Sequence, residues 1–112
     1  MRPGAWQIVY FGVPVACLTS GEHNRMRILS PITPLSQADP GAAQRMLEAN
    51  FHTTLDARYG ISDGNIYALF LHPLSTLTDR AVQSALLQVV SLVRTFGSDY
   101  SSGVLQYGGS GD

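Results

Sequence analysis

The chain contains no lysine, and charged residues make up only 13% of its 112 positions. All seven basic residues are scattered arginines, and the formal net charge is −1. Proteins that bind nucleic acid or anionic membranes carry clustered basic residues, so the composition supports neither partner. The charged share is roughly half that of an average globular domain. We therefore expect part of the weakly charged surface to be covered by a second copy of the chain.

Cysteine is also scarce, because Cys17 is the single thiol and no internal disulfide can form. It lies in the apolar run 13–18, which favours a small buried side chain over a reactive thiol. The early apolar stretch is interrupted by Gly12 and Pro14, so it does not read as a signal sequence. Apolar runs of membrane-spanning length are absent from the sequence as well. These features predict a cytoplasmic protein.

The first third of the chain predicts a three-stranded antiparallel meander. Residues 6–11 and 15–19 are rich in β-branched and aromatic side chains, with a turn at 12–14 between them. Residues 25–29 alternate between the two faces of a strand. Proline then recurs through residues 30–40, which predicts a crossover without regular structure.

A short helix is predicted next. Asp39 is a good N-cap residue and Pro40 suits the first helical position, so the helix should begin there and end near Asn50 or Phe51. One apolar stripe with a polar Asn50 set into it has helical spacing. Its members are Ala43, Met46, Leu47, Asn50 and Phe51.

The remaining elements are a hairpin and a long helix. Residues 55–61 and 66–71 read as strands around an Asp63-Gly64 turn. After the loop 72–77, Thr78 and Asp79 begin an amphipathic helix that runs to about Phe96, where Gly97 ends it. Its predicted core face groups one set of apolar residues within about 120° of arc. These are Val82, Ala85, Leu86, Val89, Leu92, Val93 and Phe96.

Two apolar residues of this helix, Leu87 and Val90, fall outside that face, on a flank shared with Gln83 and Arg94. Such residues can be ordinary surface side chains. The other interpretation is a helix-mediated contact surface, which the low charge favours.

The fold class predicted from these elements is α+β, one domain over residues 1–112. Its antiparallel sheet, built from the meander and the hairpin with the short helix between them, packs against the long C-terminal helix. Residues 1–5 and 108–112 are expected to fray. The apolar Val104, Leu105 and Tyr107 predict a short docked segment before that end.

Residue patterns for catalysis or metal binding are weak. His23, His52 and His72 lack metal-ligand spacing, and Cys17 stands alone, so we predict no metal and no cofactor. Ser101, His72 and Asp99 can be combined into a triad only on paper, without a nucleophile-elbow motif. The sequence therefore predicts no catalytic residue and no enzyme.

The order of three strands, a short helix, a hairpin and a terminal amphipathic helix resembles the YbjN-like family. That family shares its fold with the class I chaperones of type III secretion, the CesT-like group. The most specific matches are the helix end Leu47-xx-Asn50-Phe51 and the hairpin segments 57–61 and 69–71, followed by the amphipathic run 77–92. The likeness extends from about Trp6 to Tyr107. It implies a chaperone-like fold, a homodimer and protein binding without turnover.

Two functional hypotheses follow. The first is a non-enzymatic homodimer that binds an extended protein segment at a sheet edge or in an apolar groove. Its partner contacts would be Gln83, Leu87, Val90 and Arg94. The second is a small-ligand-binding or enzymatic domain with a pocket between the hairpin and the long helix. That pocket would be lined by Arg58, Tyr59, Tyr67 and His72.

Overall fold

A computed structural model describes residues 4–103 as one antiparallel sheet with two α-helices. The strand order is β1-β2-β3-β5-β4, so the meander and the hairpin join through β3 and β5. The predicted α+β class is confirmed. The elements are β1 (Ala5–Tyr10), β2 (Val13–Ser20), β3 (Arg25–Pro34), a 3-10 turn (Leu35–Gln37), α1 (Ala42–His52), β4 (Arg58–Ser62), β5 (Asn65–Pro73) and α2 (Asp79–Thr95).

The two hairpin turns of two residues use left-handed backbone. Asp63 and Gly64 have φ values of 50° and 76°, as a two-residue turn between twisted strands requires. Phe11 and Gly12 do the same between β1 and β2, with φ values of 50° and 78°. The first turn therefore lies at 11–12, and β2 begins at Val13, two residues earlier than predicted. Strand β1 begins with Ala5, which pairs with Leu18.

The predicted irregular crossover at 30–40 is wrong for its first half, because β3 continues through Pro31 to Pro34. Pro31 pairs with Tyr67 on β5, and a bulge follows before Thr33. Pairing of β3 with β2 stops at Leu29, so there is no ladder on that side for a proline to interrupt. The Ser30 hydroxyl instead donates to the Pro14 carbonyl oxygen at 2.6 Å.

Helix α1 begins later than predicted. Asp39 does not cap it; the Asp39 carbonyl oxygen accepts from the Ala42 N–H at 2.9 Å, and Gly41 is the N-cap residue. Pro40 and Gly41 thus form a turn before the helix.

The sheet has one covered face and one open face. Ile28 on β3 pairs with Cys17 and Phe70, and directly paired residues point to the same side. Helix α2 covers this side, mainly over β3 and β5. The face that carries Ile28 is called the inner face below, and the opposite face, which carries Arg27, is called the outer face.

Helix α2 is buried around its whole circumference between residues 85 and 92. The predicted solvent flank is therefore wrong at Leu87 and Val90, which are 6% and 0% exposed. The helical-wheel prediction assumed one packing surface, the sheet. A second surface contacts α2 on this flank, because the Arg94 guanidinium, one turn after Val90, donates to the Phe11 carbonyl oxygen of the first hairpin turn. The opposite flank is contacted as well, since the Gln88 side chain accepts from the Asp56 and Ala57 N–H groups at 2.8 and 2.9 Å.

The placement of Val90 in the core can be tested with an isosteric substitution. Val90→Thr puts a hydroxyl into an apolar site and should lower the free energy of unfolding by about 1–3 kcal/mol. The measurement is urea denaturation. Val9→Thr is the matched control, because Val9 is 73% exposed and the change should stay within about 0.5 kcal/mol. Equal effects of the two substitutions would contradict this packing.

Candidate protein-binding surfaces

Asn50 fastens α1 to the edge of the sheet. Its Nδ2 donates to the Tyr59 carbonyl oxygen at 3.1 Å, and its Oδ1 accepts from the Tyr59 N–H at 2.9 Å. The side-chain amide thus takes the place of a neighbouring strand near the start of β4, the last strand of the sheet. The polar residue inside the apolar stripe of α1 therefore has a structural role.

Part of the predicted stripe on α1 faces solvent. Ala42, Met46 and Ala49 are buried, whereas Leu47 and Phe51 are 70% and 83% exposed. Leu47 and Phe51 lie one turn apart, displaced from Asn50 around the helix by about 60° and 100°. The five residues of the predicted stripe therefore do not share one buried face. A helix of 11 residues beside a sheet edge buries a narrower arc than the stripe covers.

Two further exposed apolar side chains follow α1 in the chain, at the same edge of the sheet. Leu55 follows α1 and is 61% exposed, and Ile61 on β4 is 49% exposed. We call Leu47, Phe51, Leu55 and Ile61 the α1-edge patch. The sequence contained a signal for it, since the stripe held both Met46 and Leu47, and adjacent residues of a helix cannot point in one direction.

A second apolar surface is the outer face of the sheet. Arg27 at its centre pairs with Leu18 on β2 and Leu71 on β5, so all three point outward. A groove of about 390 Å³ runs beside them, lined in part by Leu29, Tyr67 and Leu69. The almost wholly apolar stretch 66–71 was the sequence signal, because alternate residues of an apolar strand face opposite sides.

Gly60 deepens the groove. A Cβ on this residue would come within 2.7 Å of Leu69 Cδ2, so the Leu69 side chain lies directly over the glycine. Any larger residue at position 60 would push Leu69 outward.

The predicted partner contacts on α2 do not form an exposed apolar surface. Gln83 and Arg94 are exposed, but Leu87 and Val90 between them are buried. The Arg94 guanidinium donates to the Phe11 carbonyl oxygen, which ties the end of α2 to the first hairpin turn.

The four residues of the alternative pocket are divided between the two faces. Tyr59 points inward, where its hydroxyl donates to the Leu92 carbonyl oxygen at 2.9 Å. His72 is also on the inner side, stacked on Phe70 with 6.3 Å between ring centroids. Arg58 and Tyr67 pair with Leu69 and Gly60 and point outward. The structure therefore does not bring these four side chains into one pocket.

The space between the hairpin and α2 is filled by aromatic rings. Tyr59 makes edge contacts with Phe96 and Tyr100, at centroid distances of 6.0 and 5.8 Å. Burial raises the pKa of the Tyr59 hydroxyl to about 12. Burial likewise raises the pKa of the Cys17 thiol, which makes the thiolate scarcer.

Metal ligands do not converge in the described part of the chain: residues 4–103 contain no group of three or more His, Cys, Asp or Glu side chains placed to hold an ion. Neither of the two helices in this range is long and apolar enough to cross a membrane. The apolar segment predicted around Val104, Leu105 and Tyr107, and the fraying predicted for 108–112, lie outside the described residues.

The buried hydroxyl of Tyr59 predicts a pH dependence. Its folded-state pKa of about 12 lies above the ordinary value of 10, so its stabilising contribution is complete below pH 10 and is lost as the pH rises towards 12. Tyr59→Phe removes one hydrogen bond, at a cost of about 1 kcal/mol at neutral pH. The difference in unfolding free energy between wild type and variant, measured in urea, should shrink from pH 10 to 12. A constant difference across that range would contradict the prediction.

Comparison with known proteins identifies a shared fold through solved structures alone. No family model and no curated protein matches this chain. Among solved structures, the ExsC–ExsE complex is similar with a TM-score of 0.65 and 14% identity, over 82% of this chain and 75% of that chain. The HopA1–SchA chaperone–effector complex matches with a TM-score of 0.61 and 13% identity, over 83% and 74%. The Yersinia pestis type III secretion chaperone SycH, in complex with a stable fragment of YscM2, matches with a TM-score of 0.65 and 13% identity, over 83% and 80%.

SycH is a type III secretion chaperone and the HopA1–SchA structure is a chaperone–effector complex, so the predicted CesT-like fold is confirmed. The YbjN-like relationship stays a prediction. Identities of 13–14% establish the shape and nothing further. The chain has the fold of the type III secretion chaperones.

Proposed function

We propose that this chain is a non-enzymatic, cytoplasmic protein-binding domain that acts as a homodimer. The fold supports protein binding, because SchA and SycH were each solved in complex with a protein partner. The observation that carries the proposal is the α1-edge patch. Four large apolar side chains at one edge of a small domain are a surface that a second polypeptide would cover.

The α1-edge patch suits a second copy of the same chain. A two-fold interface places the same surface against itself, so it must be self-complementary. Leu47 and Phe51 are exposed one turn apart on α1, and two antiparallel copies of this helix can pack these side chains against each other. Leu47 and Phe51 would lie at the centre of such a contact.

Light scattering at micromolar concentration tests the homodimer. We expect a solution mass twice that of one chain, and a mass of one chain for the double variant Leu47→Glu, Phe51→Glu. Both residues are exposed, so the circular dichroism spectrum of the variant should be that of a folded protein.

Leu71→Glu is the matched control, since Leu71 is 51% exposed on the outer face and the same charge is introduced there. This variant should keep the dimer mass. A wild-type mass of one chain, or a double variant that remains dimeric, would refute the α1-edge patch as the interface.

A further inference from the structure

The five described strands place positive charge on the outer face of the sheet and contribute no negative charge to it. Among the five strands, the basic residues are Arg25, Arg27 and Arg58, and their pairings place all three on the outer face. None of the five strands contains an acidic residue. The carboxylates of residues 4–103 lie in turns, loops and helices instead; they are Glu22, Asp39, Glu48, Asp56, Asp63, Asp79 and Asp99.

Two of the three arginines are engaged with their own surroundings. Arg25 Nη1 donates to the Asn24 carbonyl oxygen at 2.9 Å. Arg58 Nη1 donates to Thr54 Oγ1 at 2.9 Å and to the Leu55 carbonyl oxygen at 2.8 Å. Arg27 makes no hydrogen bond or ion pair with another residue of the range 4–103.

Arg27 is also the arginine nearest the centre of the sheet. It lies on β3, the middle strand, between Leu18 and Leu71, which are 37% and 51% exposed. The groove of about 390 Å³ begins at Arg27 and continues past Leu29 and Leu69 to Tyr67. A carboxylate binds a guanidinium more strongly among leucines than in open solvent. The reason is that a segment covering the leucines excludes water from the charge pair.

A second copy of this chain does not suit the outer face. A two-fold contact through this face would bring two sets of like charges together without a carboxylate between them. An anionic membrane is less favoured as well, because one free arginine on a protein of net charge −1 gives little attraction to a lipid surface.

We propose that the outer face binds an amphipathic helical segment of a partner protein, whose large apolar side chains lie along one face bordered by acidic ones. A carboxylate of the segment would bind Arg27, and the flanking apolar side chains would fill the groove beside Leu29 and Leu69. This inference rests on the proposed protein-binding function and specifies the chemical character of the partner segment.

Three synthetic peptides test the proposal. The first is an amphipathic peptide of about 18 residues, or five helical turns, with leucines along one face bordered by glutamates. The other two peptides are identical except that glutamine or lysine replaces the glutamates. Fluorescence anisotropy with the full chain should give the order of affinity acidic, then neutral, then basic.

Arg27→Gln should weaken binding of the acidic peptide about tenfold and leave the neutral peptide unchanged. Arg80→Gln is the matched control, because Arg80 is exposed at the start of α2, and it should change neither affinity. The same thermal unfolding midpoint for both variants would show that the fold is retained.

Equal loss for the acidic and neutral peptides, no effect of Arg27→Gln, or no binding of any peptide would overturn the proposal. Binding to phosphatidylserine vesicles that depends on Arg27, without a preference for the acidic peptide, would assign the face to a membrane instead. The Leu47→Glu, Phe51→Glu variant should keep the peptide preference. A chain that forms the dimer but does not discriminate among peptides refutes this inference alone, whereas a monomeric chain that prefers the acidic peptide refutes only the dimer.

Discussion

One long helix can cover only part of the five-stranded sheet, and this limit determines which apolar side chains remain exposed. Helix α2 has 17 residues and packs mainly on β3 and β5, where it is buried on every side over residues 85–92. A single helix about 10 Å wide spans roughly two strands of a sheet with strands 4.8 Å apart. Apolar side chains elsewhere must therefore remain in solvent or meet another polypeptide. Trp6 and Ile8 illustrate this, since they share a side with α2 and are still 50% and 43% exposed.

Two of the exposed apolar surfaces, the α1-edge patch and the outer face, meet at Ile61 but differ in charge, and the difference suggests different partners. The α1-edge patch adjoins a helix with residues of both signs and can meet a copy of itself. The outer face carries arginines without a compensating carboxylate and would repel its copy. Both surfaces are separate from the core, so each can be altered by a single charged residue without loss of the fold.

Much of the fold could be predicted from the sequence. The Asp63-Gly64 hairpin and the cap of α2 at Thr78 depend on local turn and capping chemistry, which neighbouring residues report directly. The continuation of β3 through Pro31 could not be predicted. A strand accommodates proline only where no neighbouring strand needs its N–H, and the sequence does not show that pairing with β2 stops at Leu29. The burial of Leu87 and Val90 was missed for a similar reason. A helical wheel shows one apolar arc, but it does not show that a second segment of chain covers the helix.

The segment between α1 and β4 is held by side chains distant in the sequence. The Leu55 N–H donates to Ser102 Oγ at 2.6 Å, the Asp56 and Ala57 N–H groups donate to Gln88, and the Tyr59 N–H donates to Asn50. Four amide protons of a largely irregular segment are thus shielded by groups on α1, α2 and the chain after α2. These protons can exchange with solvent only when those contacts separate, so we expect the loop to stay protected until it detaches from both helices.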